Sequence, residues 1–433
     1  MITLKKILSK PCKTLFMKKL FTLLALISLF LGTAHAQWQK TSDTTSTVKC
    51  FAIKDNHIYA GNDSTVLLST DHGTNWTIKD NGLPPKNENL SVLSIFIKDT
   101  NIFAGIGDQG SIGGMYRSTD EGNSWEFLSS GLPNSGMTSV NAFGWLGNRI
   151  FVGCQNEGIY YSDNNGNSWT YADHMGYCPF VFATKDSTVF TGIFDKGIFR
   201  STNNGLSWNL SSNGIPYSTN TTIINSIAIK GSDIYASTLY FGLGIYKSID
   251  DGLSWTSCNN GFPASDSEYN DVWSVVASGN NLFAGIGNYL GNYPAIGGHN
   301  VYLSTNDGGS WSIADAGMQE STIVMSLFVD DQFIYAGTYK HGIWKRSLTD
   351  FMGIANYNFE NASFFPNPAS DNITITTRED NSEVDIYDIT GELMRKETIA
   401  TNGIISINDL SAGVYVIRIS GEKTVYTGKL IKK

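Results

Sequence analysis

Six side chains able to hold a cation or a sugar recur at one place in a repeated octapeptide: Asp71, Asp120, Asn164, Asn203, Asp250 and Asn306. Each stands third in Ser-x-(Asp/Asn)-x-Gly-x-(Ser/Asn)-Trp, with Gly73, Gly122, Gly166, Gly205, Gly252 and Gly308 fifth and Trp76, Trp125, Trp169, Trp208, Trp255 and Trp311 eighth. Carboxylates and amides so repeated could ligate calcium. They could equally bond nearby backbone groups and staple a turn whose Gly supplies a positive φ. Asn serves as well as Asp in three of the six copies, which suits hydrogen bonding better than metal binding. No metal and no cofactor are expected.

Other candidate chemistry is sparser. Asp108, Glu157, Asp195 and Asp271 are carboxylates on connections that could face a ligand. Glycoside hydrolysis needs two placed carboxyl groups, or a Tyr nucleophile, and the spacing pairs none of these four. Arg117, Arg200 and Arg346 are expected at equivalent third-strand positions and Arg149 on a short turn, so no arginine cluster forms. His57, His72, His174, His299 and His341 stand at no metal-ligand spacing. Gly105-Ile106-Gly107-Asp108-Gln109-Gly110 fits G-x-G-x-x-G, but no helix follows it, and nucleotide binding is discarded. No catalytic residue is assigned. Whether the protein is an enzyme stays open, leaning against.

The elements that carry these residues follow from the repeat. Trp-to-Trp steps of 39 to 56 residues fit one four-stranded propeller blade per copy. An apolar strand such as Val92 to Ile97 is followed by a tight polar turn, then by strands of the Ile58-Tyr59-Ala60-Gly61 and Ile159-Tyr160 kinds. A fourth strand follows each Trp. First-and-second-strand pairs number seven, but the last unit ends at Lys345-Arg346-Ser347 without the octapeptide. A ring left one strand short would expose an edge. Gln37-Trp38-Gln39-Lys40 is like the other Trp-led strands and is expected to fill the gap. The fold class is all-β, a seven-bladed β-propeller over 37–350, then a linker at 351–358 and a small Ig-like β-sandwich at 359–433.

Composition agrees with that frame. Charged residues are 16 %, while Gly (44), Phe (23) and Tyr (20) are plentiful, as short strands and tight turns require. Residues 1–36 read as an export signal: Lys18 and Lys19, an apolar run from Leu20 to Leu31, then Ala34-His35-Ala36. Translation could start at Met1 or Met17. The apolar run is too short for a membrane span, so none is expected in the mature protein. Six lysines and no acid lie in that segment, so the mature chain carries −15 where the whole carries −9. An acidic chain without a basic run argues against nucleic acid. Of the exported cysteines, Cys50, Cys154, Cys178 and Cys258, two readings suit Cys154 and Cys178: a disulfide, or small buried apolar residues.

The octapeptide resembles the Asp box, or BNR repeat, of sialidases, family-74 xyloglucanases, sortilin-type receptors and photosystem II assembly propellers. That resemblance covers roughly 37–350 and implies a β-propeller. Sialidases hold their substrate with an arginine triad, which is not found here, and the xyloglucanases use two propellers where this chain has one. The C-terminal segment carries Phe365-Pro366-Asn367-Pro368-Ala369, Gly413-Val414-Tyr415 and a Lys429-to-Lys433 end. It resembles the type A sorting domain of the type IX secretion system of Bacteroidetes. The resemblance implies a partner in that machinery and a destination outside the cell or on the outer-membrane surface.

Connections between first and second strands are uniformly short, whereas second-to-third connections vary from 5 to 16 residues. Variation on a rigid frame is where binding specificity usually lies. The variable end offers Tyr289, Tyr293 and His299 in the longest insertion, Tyr240 and Phe241, Tyr269 and Asp271, and Tyr339, Lys340 and His341. Aromatic faces with a few polar groups suit sugar rings or exposed peptide. The expected function is a secreted or cell-surface, non-catalytic binding propeller for an extracellular glycan or protein. The alternative is a glycoside hydrolase acting on an extracellular polysaccharide.

Overall fold

The computed structural model describes residues 37–433 except 44, 86–89, 108–112, 174–177, 217–222, 240–242, 264–270, 288–299, 319–321, 352–361, 378–380, 389–392 and 421–424. The expected export signal lies outside the described residues. Apart from two short 3-10 turns, the regular elements described are strands. No helix among the described residues is long and apolar enough to cross a membrane. The chain divides into two compact units, 1–350 and 351–433.

In the first unit, seven four-stranded antiparallel sheets follow one another. The first runs Cys50–Lys54, His57–Gly61, Val66–Ser69 and Thr77–Lys79. The next five open on Ser91–Lys98, Val140–Leu146, Pro179–Lys185, Ile223–Lys230 and Asp271–Ser278. The last takes Val324–Val329, Phe333–Thr338 and Ile343–Ser347 from the end of the unit and its outer strand, Gln39–Lys40, from the beginning. Gln39 stands opposite Lys345, and Lys40 opposite Trp344. Each first strand packs on the first strand of the following sheet, and Val324–Val329 packs on Cys50–Lys54, so the series is cyclic and propeller-like.

Close approach between sheets explains the recurring Ala-Gly of the second strands. A Cβ on Gly105 would sit 2.4 Å from the carbonyl oxygen of Val140 in the next sheet, and one on Gly337 would sit 2.7 Å from that of Val48. The residue ahead of each such glycine is small as well, and the one before that is a fully buried aromatic: Tyr59, Phe103, Phe283 or Tyr335. The core is therefore a circle of inter-sheet layers, each with its own aromatic.

The second unit has a three-stranded sheet (Ala362–Phe365, Asn372–Thr377, Asn402–Ser406) and a four-stranded one. The latter orders Leu393–Ile399, Ser382–Tyr387, Gly413–Ser420 and Val425–Lys432. Period-2 alternation puts Ile373, Ile375, Ile405, Val384, Ile386 and Ile417 of both sheets into one core.

Candidate functional site

The six octapeptides build the same turn. In each, the Ser hydroxyl accepts the Gly amide, at 2.8 to 3.0 Å, and donates to the Asp or Asn oxygen, at 2.8 to 2.9 Å. That oxygen also accepts the amide four residues on. The second terminal atom explains the Asp/Asn exchange. Asp120 and Asp250 accept the hydroxyls of Ser124 and Ser254, both at 2.6 Å. Asn164, Asn203 and Asn306 instead donate to those of Ser168, Ser207 and Ser310. A hydroxyl serves either role by rotating. Hydrogen bonds from Ser254, hydroxyl first and then amide, hold the Asp250 carboxyl down at about 2. Both terminal atoms of these side chains are thus spent on the turn.

Its partners, however, are not confined to its own hairpin. Gly205 is left-handed at φ 77°, and a Cβ there would lie 2.1 Å from the Phe151 ring of the preceding sheet. Phe103 stands likewise over Gly166, Phe190 over Gly252, and Tyr335 of the last sheet over Gly73 of the first. The carbonyl just before that Gly accepts a cation from the preceding sheet: Arg117 to Asn165 (3.0 Å), Arg149 to Asn204 (2.8 Å), Arg200 to Asp251 (2.9 Å) and Lys345 to His72 (2.9 Å). The Trp belongs to this joint too. Indole nitrogens of Trp125, Trp255 and Trp311 donate to Lys79, Ser211 and Cys258 carbonyls of the preceding sheet. Trp38, in the last sheet, which has no octapeptide, does the same to Ala314 at 2.8 Å, whereas the buried indole nitrogens of Trp169 and Trp208 have no such partner.

One expectation is corrected here, and of the two readings of Cys154 and Cys178 one fits. Arg346 is not equivalent to Arg117 and Arg200: those stand opposite Phe103 and Phe190, and the residue so placed opposite Tyr335 is Lys345. Arg346, one step on, occupies the place of the motif serine, donating to Ala314 and pairing with Asp350. Cys154 and Cys178 are free thiols, not a disulfide. Both are buried, and burial pushes Cys178 up to about 12 and Cys154 higher still, its neighbour Cys178 adding to the effect.

His72 escaped the spacing argument because its neighbours come from the far end of the first unit. Its ring nitrogen lies 3.3 Å from Asp330, whose side chain is 1 % exposed, and Asp331 is beside them. Asp330 is already engaged: one oxygen accepts the amides of Gln332 and Phe333, the other the Tyr335 hydroxyl. This group reads as part of the joint between last and first sheets.

At the opposite end of the sheets, one irregularity recurs. Six of the seven first strands slip register by one residue, at Leu93, Asn141, Phe180, Asn225, Trp273 and Met325. A bulge re-aims a side chain, and bulges gather beside functional sites. These six are half-buried, as is Lys49 just ahead of the first strand of the first sheet. Polar members reach sideways to the next sheet, Lys49 to Ser91 at 2.9 Å and Asn225 to the Trp273 carbonyl at 2.5 Å. Nothing in single-strand periodicity marks this layer, because a bulge is defined by its partner strand.

Of the residues singled out from sequence, Tyr289, Tyr293, His299, Tyr240, Phe241, Tyr269 and Asp108 lie outside the described residues. Tyr339 and His341 are half-buried on the turn after Phe333–Thr338, with Lys340 exposed between them at φ 60°. Burial lowers the His341 pKa, and the charge of Lys40 lowers it further. Asp271 opens the sixth sheet and is 1 % exposed, Asp195 is 8 % exposed in the fourth, and Glu157 is half-buried in the third. The three are thus distributed over three sheets. A groove of about 460 Å³ lies elsewhere, between the outer parts of the fourth and fifth sheets beside Arg200, Leu210 and Leu253.

No curated protein sequence matches the chain. Solved structures share its fold at low identity. PorZ, described as an essential bacterial surface component of the type-IX secretion system of Porphyromonas gingivalis, has a TM-score of 0.51 and 14 % identity over 88 % of this chain. The chain spans 59 % of that protein's length. The GH74 xyloglucanase of Xanthomonas campestris gives 0.56 and 14 %, covering 90 % of this chain and 66 % of that one. The extracellular domain of the putative one-component system BT4673 of B. thetaiotaomicron gives 0.55 and 14 %, covering 91 % and 52 %. Residues 363–433 match the family described as the secretion system C-terminal sorting domain. The chain is therefore a propeller-like all-β protein carrying a type IX sorting domain at its C-terminus, which implies export to the cell surface or beyond.

Proposed function

We propose that the protein is a seven-bladed Asp-box propeller, with an Ig-like sorting sandwich, that binds an extracellular glycan or protein without catalysis. The site is the end carrying the bulged side chains and the variable connections. One observation carries this reading: the Asp and Asn side chains of the six octapeptides are consumed within their own turns, and backbone carbonyls there in joints to the preceding sheet, whereas the far end presents half-buried aromatic and amide side chains re-aimed by bulges. A rigid frame with a variable, partly apolar end is what a binding surface requires.

The reading is tested with the chain from Gln37 onward on a glycan and polysaccharide panel, with sugar release assayed in the same wells. Binding without release, lost when 288–299 is shortened, is the expected result. Release of sugar would replace this reading with the glycoside hydrolase alternative and send mutagenesis to Asp108, Glu157, Asp195 and Asp271.

A further inference from the structure

We propose that the groove between the fourth and fifth sheets docks an extended peptide of a partner protein. A carboxylate side chain of that peptide meets Arg200, and an aliphatic one lies against Leu210 and Leu253. This surface is separate from the binding end proposed above.

The repeat supplies its own comparison. Arg117 and Arg200 hold equivalent third-strand positions, opposite Phe103 and Phe190. Each donates to the carbonyl just ahead of the next sheet's motif Gly, Asn165 O at 3.0 Å and Asp251 O at 2.9 Å. Beyond that shared contact the two guanidinium groups differ. Arg117 also donates through Nε to Glu126 and through Nη1 to the Asn167 side chain, both at 2.7 Å. Glu126 stands directly opposite Arg117 on the outer strand, whereas the residue opposite Arg200 is Asn209. Asn167 is sixth in its octapeptide, and the sixth residue of the fifth sheet's octapeptide is Leu253. Both side-chain partners of Arg117 are thus replaced at Arg200, for which no ion pair is found among the described residues. The groove opens at this place: Arg200, Asn209, Leu210 and Leu253 all line it.

The replacements define the occupant. In the second sheet this guanidinium is met by a carboxylate carried on a neighbouring strand. Its counterpart in the groove is therefore a carboxylate side chain on an extended segment. Asn209–Leu210 is the outermost strand of its sheet, with one edge unpaired, along which such a segment can add. Leu210 and Leu253 are 53 % and 56 % exposed. Four other octapeptides carry Thr74, Asn123, Asn167 or Gly309 where Leu253 stands, so the turn itself does not call for an apolar side chain. Exposed leucines on a groove suit a partner's aliphatic side chain. None of the described residues lining the groove is aromatic, so a peptide fits it better than a sugar ring.

The test is a fluorescence-polarisation titration of the chain from Gln37 with an end-blocked hexapeptide of alternating Glu and Leu. Its Gln–Leu and Glu–Ser counterparts are run beside it. The Glu–Leu peptide should bind, weaken with salt, and lose about 10-fold in affinity with Arg200→Gln. Because Arg200 also ties two sheets together, Asn209→Glu serves as the second variant. It keeps that tie and supplies the carboxylate that Glu126 gives Arg117. It should abolish peptide binding while the tryptophan-fluorescence melt stays unchanged or rises. Undiminished binding in Asn209→Glu overturns the proposal, as does failure of the wild type to bind at millimolar peptide. Equal binding of the Gln–Leu peptide overturns the carboxylate contact, and equal binding of the Glu–Ser peptide overturns the apolar one. Sedimentation showing self-association that Asn209→Glu removes would assign the groove to a second copy of the chain and overturn the peptide.

Discussion

Replacing Trp38 with Ala should open the ring at one joint. Trp38 is 3 % exposed, its backbone amide donates to Ala316 O at 2.8 Å, and its indole to Ala314 O at 2.8 Å. Truncating a buried Trp costs about 3–5 kcal/mol from lost burial and the cavity left behind. The hydrogen-bond share of this is small, because Ala314 O keeps a second donor in Arg346 at 3.1 Å. Trp38→Phe, which retains most of the apolar area, should therefore cost only about 1 kcal/mol. All ten tryptophans lie between positions 38 and 344, so their fluorescence reports the first unit without interference from the second. In a thermal or urea melt, Trp38→Ala should lower the first unit's midpoint by roughly 10 °C, and Trp38→Phe by a few degrees. It should also associate through the uncovered edge of Ile343–Ser347. A Trp38→Ala protein that melts with the wild type and stays monomeric would falsify the account of ring closure.

Three further outcomes follow from the joints and the core. Asp250→Asn should be nearly neutral at pH 7, since Ser254 can turn its hydroxyl to accept an amide as Ser207 does for Asn203, whereas Asp250→Ala should cost about 1–2 kcal/mol in a urea melt. Because Asp250 is held at about 2, below its ordinary 3.8, its contribution is present above about pH 4 and lost as pH falls towards 2; acid unfolding of Asp250→Asn should lack that increment. Gly205→Ala meets both a φ of 77° and the Phe151 ring at 2.1 Å, and should lose about 2 kcal/mol or more by the same melt, while Gly231→Ala, with open space around it, should lose less. Cys154 and Cys178 should be inert to an aromatic disulfide reagent in the native chain and react on unfolding; an intact mass two units below that of the four-thiol mature form would show a disulfide instead.

The frame was legible because its units recur. Trp38 identifies the missing outer strand from a single residue, since a Trp already leads that strand six times over. Contacts between sheets were not legible. Lys345 and Arg346 are adjacent cations, and which one matches Arg117 depends on pairing with Tyr335, a partner that spacing alone does not reveal. Thr47 escaped notice for a related reason: its hydroxyl meets the Lys340 amide only through closure of a circle 293 positions around. The same holds for His72 beside Asp330. In a cyclic repeat fold, periodicity reports what each unit does for itself, and is blind to what the last unit does for the first.

That blindness matters most for the octapeptide, whose chemistry looks local in sequence. A turn serving only its own hairpin could tolerate a different solution in each copy. In five copies the Gly must also clear an aromatic from the preceding sheet, in at least four the carbonyl before it meets that sheet's cation, and in three the Trp reaches back to a neighbouring carbonyl. Most copies are thus constrained twice, once for the turn and once for the joint. The exchangeable atom is the one that bonds within the turn alone, and there Asp and Asn alternate freely. The opposite end has joints of its own, where Ser94 and Asn225 donate to the Val140 and Trp273 carbonyls of the next sheet at 3.1 and 2.5 Å, so the work of holding sheet to sheet is shared between the two ends.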